Sequence, residues 1–468
     1  MILEQHYLGC LAQASYFLCD PASGKAVVVD PRRDVDLYLE RAAHHGVEIA
    51  LVVLTHFHAD FVAGHIELRE RTGARIALGP GAQADFDFDE LRDGQRLDFG
   101  ALRLEVRSTP GHTPESVCLV VYDLDESAEE PQGVLTGDTL FIGDVGRPDL
   151  MSSVGYTREA LAGMLYDSLQ RSILTLPDAT KVYPGHGAGS ACGKALSNET
   201  VSTIGEQRAL NYALQPMSKA DFVREVTTGL RDAPAYFAHD AQRNREERPT
   251  LDAMLARSLR PLSLEQALEL AREQGAQLLD TRDLEEYASA HLAGAIYVGL
   301  CGKYASWAGT LLDPERPIVI LAGPGREHES AMRLGRIGFD EVAGYVEDYA
   351  GALASHPDLA RRTTRVDSEE LIARQRAGET LPIVDVRACG EWDAGHLPGA
   401  THIALDELPK RLAELPAGPY VLQCAGGYRS LIAASLIEAA GAERLVDLRG
   451  GIEAWQRSGG PIERPVNA

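Results

Sequence analysis

Two histidines separated by a single residue, with an aspartate two further on, form the most reactive-looking stretch of this chain: Thr55-His56-Phe57-His58-Ala59-Asp60. At the end of a strand, where the chain turns, imidazoles so spaced both project toward one point. Downstream come Gly111-His112, Gly137-Asp138 and Gly185-His186, each after an apolar or β-rich run. Imidazoles and carboxylates delivered by successive glycine-flanked strand ends are metal-ligand chemistry. Surface histidines are common, but four such elements recurring in order are not.

A second constellation lies near the other end. The run PYVLQ (419–423) leads into Cys424-Ala425-Gly426-Gly427-Tyr428-Arg429-Ser430, and the helical stretch SLIAASLIEAAGA follows. A cysteine between a strand and a helix, in a loop of small residues, has backbone N–H groups around its sulfur. Those donors, the helix start and Arg429 favour a thiolate, and the same cradle would hold a charged persulfide.

The elements that must position these groups follow from periodicity. Over residues 1–185, short apolar runs such as AVVVD (26–30), IALVVLTH (49–56) and SVCLVVYD (116–123) alternate with helical stretches. That is the pattern of a layered α/β fold. Residues 187–260 read as polar and helical. HDAQRNREERPT (239–250) is charged, has no run that could build a core, and reads as a linker or tail. Beyond it, LLDTRDLEEYASAHLAGA (278–295) matches IVDVRACGEWDAGHLPGA (383–400) without a gap, 105 residues apart. One α/β module is therefore present twice. Asp385 and Arg387, repeated as Asp280 and Arg282, read as structural. Aligning VILAGPGRE (319–327) with VLQCAGGYR (421–429) sets Ala322 opposite Cys424 and Glu327 opposite Arg429. The earlier copy thus cannot form a covalent sulfur intermediate; it reads as a spacer or docking surface, and Cys301 precedes the strand concerned.

The chain as a whole sets outer bounds. Its 468 residues suit about three domains. A formal charge of −24 argues against nucleic acid or an anionic membrane as partner. The seven cysteines are scattered, with no CxxC pair, so reduced thiols in a cytoplasmic protein are expected. The N-terminal stretch has no basic lead and reads as a first strand, and no apolar run is long enough to span a membrane.

Residues 1 to about 230 resemble the metallo-β-lactamase superfamily, and within it the persulfide dioxygenases, relatives of glyoxalase II. THFHAD (55–60), STPGHTPES (108–116), LTGDTLFIGDVGRPDL (135–150) and YPGH (183–186) carry the resemblance. Where glyoxalase II has a further metal-binding His after the motif's Asp, this chain has Phe61, which cannot ligate. The resemblance implies one metal on His56, His112 and Asp138. Two histidines and a carboxylate with open positions suit non-haem Fe(II), one per chain, with zinc as the alternative. His58, Asp60 and His186 then stand behind the ligands or add to them, with His58 as a direct fourth ligand left open. Arg147 could hold a glutathione carboxylate or merely pair with Asp149. Cys192 could be a sulfur relay or an inert buried thiol.

Residues 360–465 resemble the rhodanese domain, through VDVR, EW, GHLPGA, the Cys424 loop and GGIEAW. The expected architecture is α/β and multidomain. A metallo-β-lactamase αββα sandwich with a helical C-terminal extension spans 1–245. A linker (246–260), a rhodanese-like domain without its cysteine (261–357) and a rhodanese domain carrying Cys424 (358–468) follow. Both rhodanese-like parts are expected to be parallel-sheet domains. The expected partners are glutathione persulfide or another low-molecular-weight persulfide, O₂, and sulfite or thiosulfate; a homo-oligomer is left open. The expected activities are persulfide oxidation to sulfite and sulfane-sulfur transfer. A zinc-dependent thioester hydrolase, or rhodanese modules that only dock partners, are the rivals.

Overall fold

The computed structural model describes residues 1–150, 155–194, 196–230, 232–441 and 445–464. These fall into two compact units, Met1–Met254 with Leu334–Phe339, and Leu255–Arg333 with Asp340–Ala468.

In the first unit, strands that alternate apolar residues on both faces become the inner layers of a sandwich. Along Gln13–Asp20, every residue is buried. Ala14, Tyr16 and Leu18 point into a core shared with Leu104, Val106, Leu119 and Val121 of the other sheet. Phe17 and Cys19 point the opposite way, under the helix Asp36–His45, with Tyr38 and Val52. One sheet runs Ile2–Leu8, Gln13–Asp20, Lys25–Val29, Glu48–Val53, Arg75–Leu78, Asp89–Glu90 in spatial order. The other runs Ser202–Thr203, Lys181–Pro184, Gly133–Gly137, Val117–Asp123, Leu102–Ser108, Arg96–Phe99. Helices Arg158–Ser168 and Lys219–Thr227 cover the second sheet through Ala162, Leu165 and Phe222. Helix on sheet on sheet on helix is the expected αββα order, because each strand set is apolar on both faces and needs cover on both.

The second unit contains the two repeats as two five-stranded sheets. Their spatial orders match: Pro261–Leu262, Val342–Val346, Ile318–Leu321, Gln277–Asp280, Ile296–Tyr297, and Thr364–Val366, Leu445–Leu448, Tyr420–Gln423, Ile383–Asp385, Thr401–His402. All their pairings are parallel. The central strands are fully buried, as parallel strands with helices on both faces must be. The repeat extends to side chains. Arg282 and Arg387 each clamp the aspartate two residues before, with Nη2 2.6 Å from Oδ2, and each donates to a carbonyl eight residues on.

The stretch expected as a linker is ordered and packed. Tyr236–Arg243 and Leu251–Ser258 are helices, and Asp240, Asn244, Arg248, Leu251 and Met254 are buried. Its lack of apolar runs is real, but much of what it buries is polar and bonded. Arg248 and Arg33 both bond the buried carboxylate of Glu67, at 2.6 and 2.9 Å. No helix among the described residues is long and apolar enough to cross a membrane.

Candidate functional site

The strand ends of the sandwich converge at one rim. Glu48–Val53 runs out through Leu54 and Thr55 to His56; Gly133–Gly137 delivers Asp138; Lys181–Pro184 delivers His186. Val117 N–H donates to Thr55 O, and Gly185 N–H donates to Gly137 O, both at 2.8 Å. The flanking glycines permit this crowding. A Cβ on Gly137, at φ +48°, would lie 2.5 Å from Thr55 Oγ1, and one on Gly185 would lie 2.6 Å from Asp138 Oδ1.

One ligand atom each from His56, His112 and Asp138 lies within 4.8 Å of the others, and all three residues are buried. The Nε2 atoms of His56 and His112 stand 3.8 and 3.5 Å from Asp138 Oδ2. That oxygen has no hydrogen-bond partner among the described residues. A buried, unpartnered carboxylate oxygen facing two imidazole nitrogens is costly unless a cation completes it. Burial holds both imidazoles below their ordinary pKa, hence neutral, as ligands must be. Burial pushes the Asp138 carboxyl up, but the imidazoles, His186 first, outweigh it and keep the group ionised.

The nitrogens that would bind metal are set by what the other ring nitrogens do. His112 Nδ1 donates to Arg147 O at 2.9 Å. Thr55 Oγ1 donates to Asp30 Oδ2 at 2.8 Å, so His56 Nδ1, 3.0 Å from Thr55 Oγ1, must donate to it. Both rings therefore present an unprotonated Nε2. Asp30 also accepts from Thr55 N–H and from His58 Nε2, at 2.8 and 2.9 Å. It sits at φ +51°, a strained backbone for a non-glycine residue. Sequence reasoning passed over Asp30, though its signal was there: it is the polar end of the apolar run AVVVD.

The remaining expected residues fall in or around this rim. His58 is not in the three-residue group; its Nε2 is committed to Asp30, and its Nδ1 is buried without a partner among the described residues. His186 Nδ1 donates to Asp138 Oδ1 at 2.8 Å, and its Nε2 is 2.9 Å from Asp60 Oδ2. Burial disfavours charge on His186, but Asp138 and Asp60 outweigh it and hold the ring protonated. Asp60, His186 and Cys192 form a second buried group whose ligand atoms lie within 4.8 Å. Burial, then Asp60 and Asp138, push the Cys192 thiol well above its ordinary range. Phe61 packs against His58 at a tilt, with centroids 4.3 Å apart, and approaches His186 edge-on at 6.3 Å.

Arg147 is buried. Its guanidinium clamps Asp149 through Nε and Nη2 at 2.7 and 2.8 Å, and Nη1 donates to Ala191 O. Its carbonyl orients His112, and its N–H donates to Cys192 O. His65 is structural: burial first, with Arg248 nearby, drives its ring down to about 3. The loop's main support, missed entirely from sequence, is Asn244. Its Nδ2 donates to His58 O and Phe61 O, and its Oδ1 accepts from Ala63 N–H, all at 2.8 Å.

In the second unit, Cys424 follows the strand Tyr420–Gln423 and is buried. Gly427 N–H donates to its Sγ at 3.1 Å, and Ser430 Oγ is 3.5 Å away, itself bonded to buried Asp447. The start of helix Gly451–Arg457 holds the Cys424 carbonyl, through Ile452 N–H at 2.8 Å. Arg429 does not bond the sulfur. Both its Nη atoms grip Glu391, at 2.6 and 2.7 Å. In the other repeat the register Asp280↔Leu321 matches Asp385↔Gln423, so Ala322 occupies the cysteine's place. Cys301 is exposed, outside that loop.

Comparison with known proteins agrees with both halves. The Metallo-beta-lactamase superfamily model matches residues 8–186, and the Rhodanese-like domain model matches twice, at 263–352 and 367–458. Persulfide dioxygenase ETHE1, mitochondrial, of Bos taurus is 34% identical over 232 residues, covering 48% of this chain and 80% of that protein. Hydroxyacylglutathione hydrolase of Ectopseudomonas mendocina is 32% identical over 172 residues, 36% of this chain and 60% of that protein. A crystal structure of a metallo-beta-lactamase from Staphylococcus aureus subsp. aureus COL superposes with a TM-score of 0.65 at 28% identity. It covers 74% of this chain and 98% of that one, so the likeness reaches beyond the first half.

Proposed function

Because the chain belongs to the metallo-β-lactamase superfamily, in the branch of the persulfide dioxygenases, with two rhodanese-like domains behind that half, we propose a bifunctional sulfur enzyme. Its first half oxidises the terminal sulfur of glutathione persulfide, or of another small thiol persulfide, to sulfite with O₂. Its last domain moves sulfane sulfur among persulfide, sulfite and thiosulfate through Cys424.

The observation that carries the oxidation is the buried His56–His112–Asp138 face with its unpartnered Asp138 Oδ2. These three residues would hold one Fe(II), which supplies the one-electron chemistry that O₂ requires. The protein's own part is to keep two imidazoles neutral and correctly protonated, through Thr55, Asp30 and the Arg147 carbonyl. It also fixes Asp138 through His186 and lines the rim with buried Phe57, Phe61 and Phe141. Substrate carboxylates would have to compete with Asp149 for Arg147, so His112 orientation is the firmer role for that residue.

Sulfur transfer rests on Cys424 between the Gly427 amide and Ser430. The thiolate attacks the outer sulfur of thiosulfate; that S–S bond breaks, sulfite leaves with the electron pair, and a Cys424 persulfide anion remains. Attack by sulfite on the persulfide's outer sulfur runs the same step in reverse.

A second reading, a two-metal thioester hydrolase, draws support from the Asp60–His186–Cys192 group. Protein purified without oxygen decides between them. About one iron per chain and oxygen uptake on adding glutathione persulfide support the dioxygenase. Two zinc ions, no oxygen uptake and hydrolysis of S-lactoylglutathione support the hydrolase.

A further inference from the structure

Ser430, beside the sulfur of Cys424, has one proton to give and two neighbours that could take it. It donates that proton to Asp447 Oδ1. The oxygen it turns to Cys424 Sγ, 3.5 Å away, therefore offers only a lone pair. A thiol can donate into that lone pair, whereas a thiolate would face it charge to lone pair. Asp447 is what fixes Ser430 in this sense. It is fully buried in the strand Leu445–Leu448. Arg365 Nε donates to its other oxygen at 2.9 Å, and Arg365 is itself shared with Glu285 of the earlier repeat, at 2.6 Å. Burial raises the Asp447 carboxyl above its ordinary value, but Ser430 and Arg365, each donating to it, oppose that. A donor on each oxygen is the setting of an ionised carboxylate. Gly427 N–H pulls the other way, donating to Sγ at 3.1 Å. The sulfur is thus met by one group that suits the anion and one that suits S–H.

The other repeat serves as an internal control. It keeps the clamp that holds the fold, Asp280 with Arg282 as Asp385 with Arg387. It keeps none of the polar groups behind the sulfur. Tyr345 pairs with Ile320 where Asp447 pairs with Leu422, and Pro261 pairs with Tyr345 where Arg365 pairs with Asp447. The gapless match sets His328 at the place of Ser430. A network needed only to hold this module together would be expected in both copies. This one occurs with the cysteine and is missing without it.

Building on the sulfur-transfer reading, we propose that Asp447 is a positioning residue of the Cys424 site: it turns the Ser430 proton away from the sulfur, so that unloaded Cys424 rests as S–H. On loading, the thiol proton leaves to water and the sulfur attacks the outer sulfur of thiosulfate. The S–S bond breaks, and sulfite departs with the electron pair. The negative charge then sits on the outer sulfur of the persulfide, away from the Ser430 lone pair. The inner sulfur, bonded on both sides, is neutral and needs no donor. The resting thiol is also the form that resists oxidation, because oxidants attack the thiolate. The charged groups that face the pair are Arg365 and, behind it, Glu285 on the Asp447 side. On the Cys424 side they are Arg429, gripped by Glu391, and Asp385, clamped by Arg387.

The test is the rate at which iodoacetamide alkylates Cys424 in the full-length protein, read on the Cys424 peptide by mass spectrometry across pH. Thermal unfolding checks that each variant is folded. Asp447→Asn removes a buried charge and frees Ser430 to donate to the sulfur. Its alkylation at neutral pH should run about tenfold faster than wild type, with the two rates converging in alkali, where both cysteines are ionised. Ser430→Ala removes the lone pair but keeps the charge, and should give a smaller rise, about threefold. Loss of sulfur transfer from thiosulfate to cyanide on exposure to hydrogen peroxide should speed up in parallel. Damage to packing alone would not raise these rates selectively at neutral pH. A neutral-pH rate for folded Asp447→Asn at or below that of wild type overturns the proposal. If that variant does not fold, Ser430→Ala decides, and a rate at or below wild type overturns it equally. If Cys424→Ser transfers sulfur as fast as wild type, the Cys424 reading itself falls and this one with it.

Discussion

Asp30 lies outside the three-residue metal group, yet its replacement by asparagine should weaken metal binding measurably. Asp30 accepts three hydrogen bonds: two on Oδ1, from Thr55 N–H and His58 Nε2, and one on Oδ2, from Thr55 Oγ1. In Asp30→Asn the new side chain could keep the first two on its carbonyl oxygen, but its NH₂ would then face Thr55 Oγ1 as a donor. The hydroxyl must turn and give its proton to His56 Nδ1, which moves the ring proton to Nε2, the nitrogen that should ligate. The apoprotein loses one charge-assisted hydrogen bond, about 1.5–3 kcal/mol. The metal must also reverse the tautomer, and loss of a group that orients a ligand histidine costs about 10- to 100-fold in affinity. Anaerobic titration of Fe(II) against a competing chromophoric chelator measures this, with thermal unfolding of the apoprotein as a check on folding. Thr55→Val, which breaks the same relay without touching charge, should fall in the same range. Affinities for both variants within about twofold of wild type, on folded protein, would show that the relay does not set the His56 tautomer.

Three other outcomes follow from the geometry. Phe61→His, placed between the His58 and His186 rings, should raise metal content from about one toward two per chain, measured by elemental analysis; an unchanged count would deny that Phe61 is what limits the site. Glu67 should govern acid stability. Burial opposes its charge, but Arg248 and Arg33 hold its carboxyl at about 2, below the ordinary 4.5. The stabilisation is therefore complete above pH 4.5 and lost as pH falls toward 2. Glu67→Gln should cost about 3–5 kcal/mol at pH 7, a gap that narrows in acid unfolding experiments; a pH-independent gap would contradict the ion-pair account. Gly451→Ala puts a Cβ 2.1 Å from Cys424 O at φ +57°. It should cost about 1–3 kcal/mol and cut sulfur transfer more than oxygen uptake; equal loss of both would place the damage elsewhere.

What could be read from the sequence is what local pattern encodes. Strand ends bearing His or Asp after glycine announced themselves, because a metal rim needs small residues where strands crowd. The register of the two repeats followed from a gapless match, and the pairing of Asp280 with Leu321 and of Asp385 with Gln423 places Ala322 where that match put it. What stayed hidden depends on contacts distant in sequence. Asn244 reaches His58 O across 186 positions, and nothing in a charged, coreless stretch signals that its polar atoms will be buried. Arg429 was expected to face the sulfur, but Glu391, from the other side of the loop, takes both its Nη atoms. Cys192 is six residues from His186 in sequence, yet only the turn of the Gly-rich loop brings its sulfur beside Asp60.

The hold that Asn244 keeps on His58 O and Ala63 N–H, together with the bond from Arg248 Nη2 to Ala63 O, bears on how the oxidising half could be isolated. A fragment ending at residue 186, where the superfamily match stops, would contain every ligand and still lack the brace beneath them. Three backbone groups of the ligand-bearing turn, His58 O, Phe61 O and Ala63 N–H, would open to water, and the two histidines of that turn would lose their fixed separation. Working excision should therefore begin from a cut beyond Leu251, whose own N–H bonds Glu67. Shorter pieces should express as protein that takes up metal weakly and without selectivity.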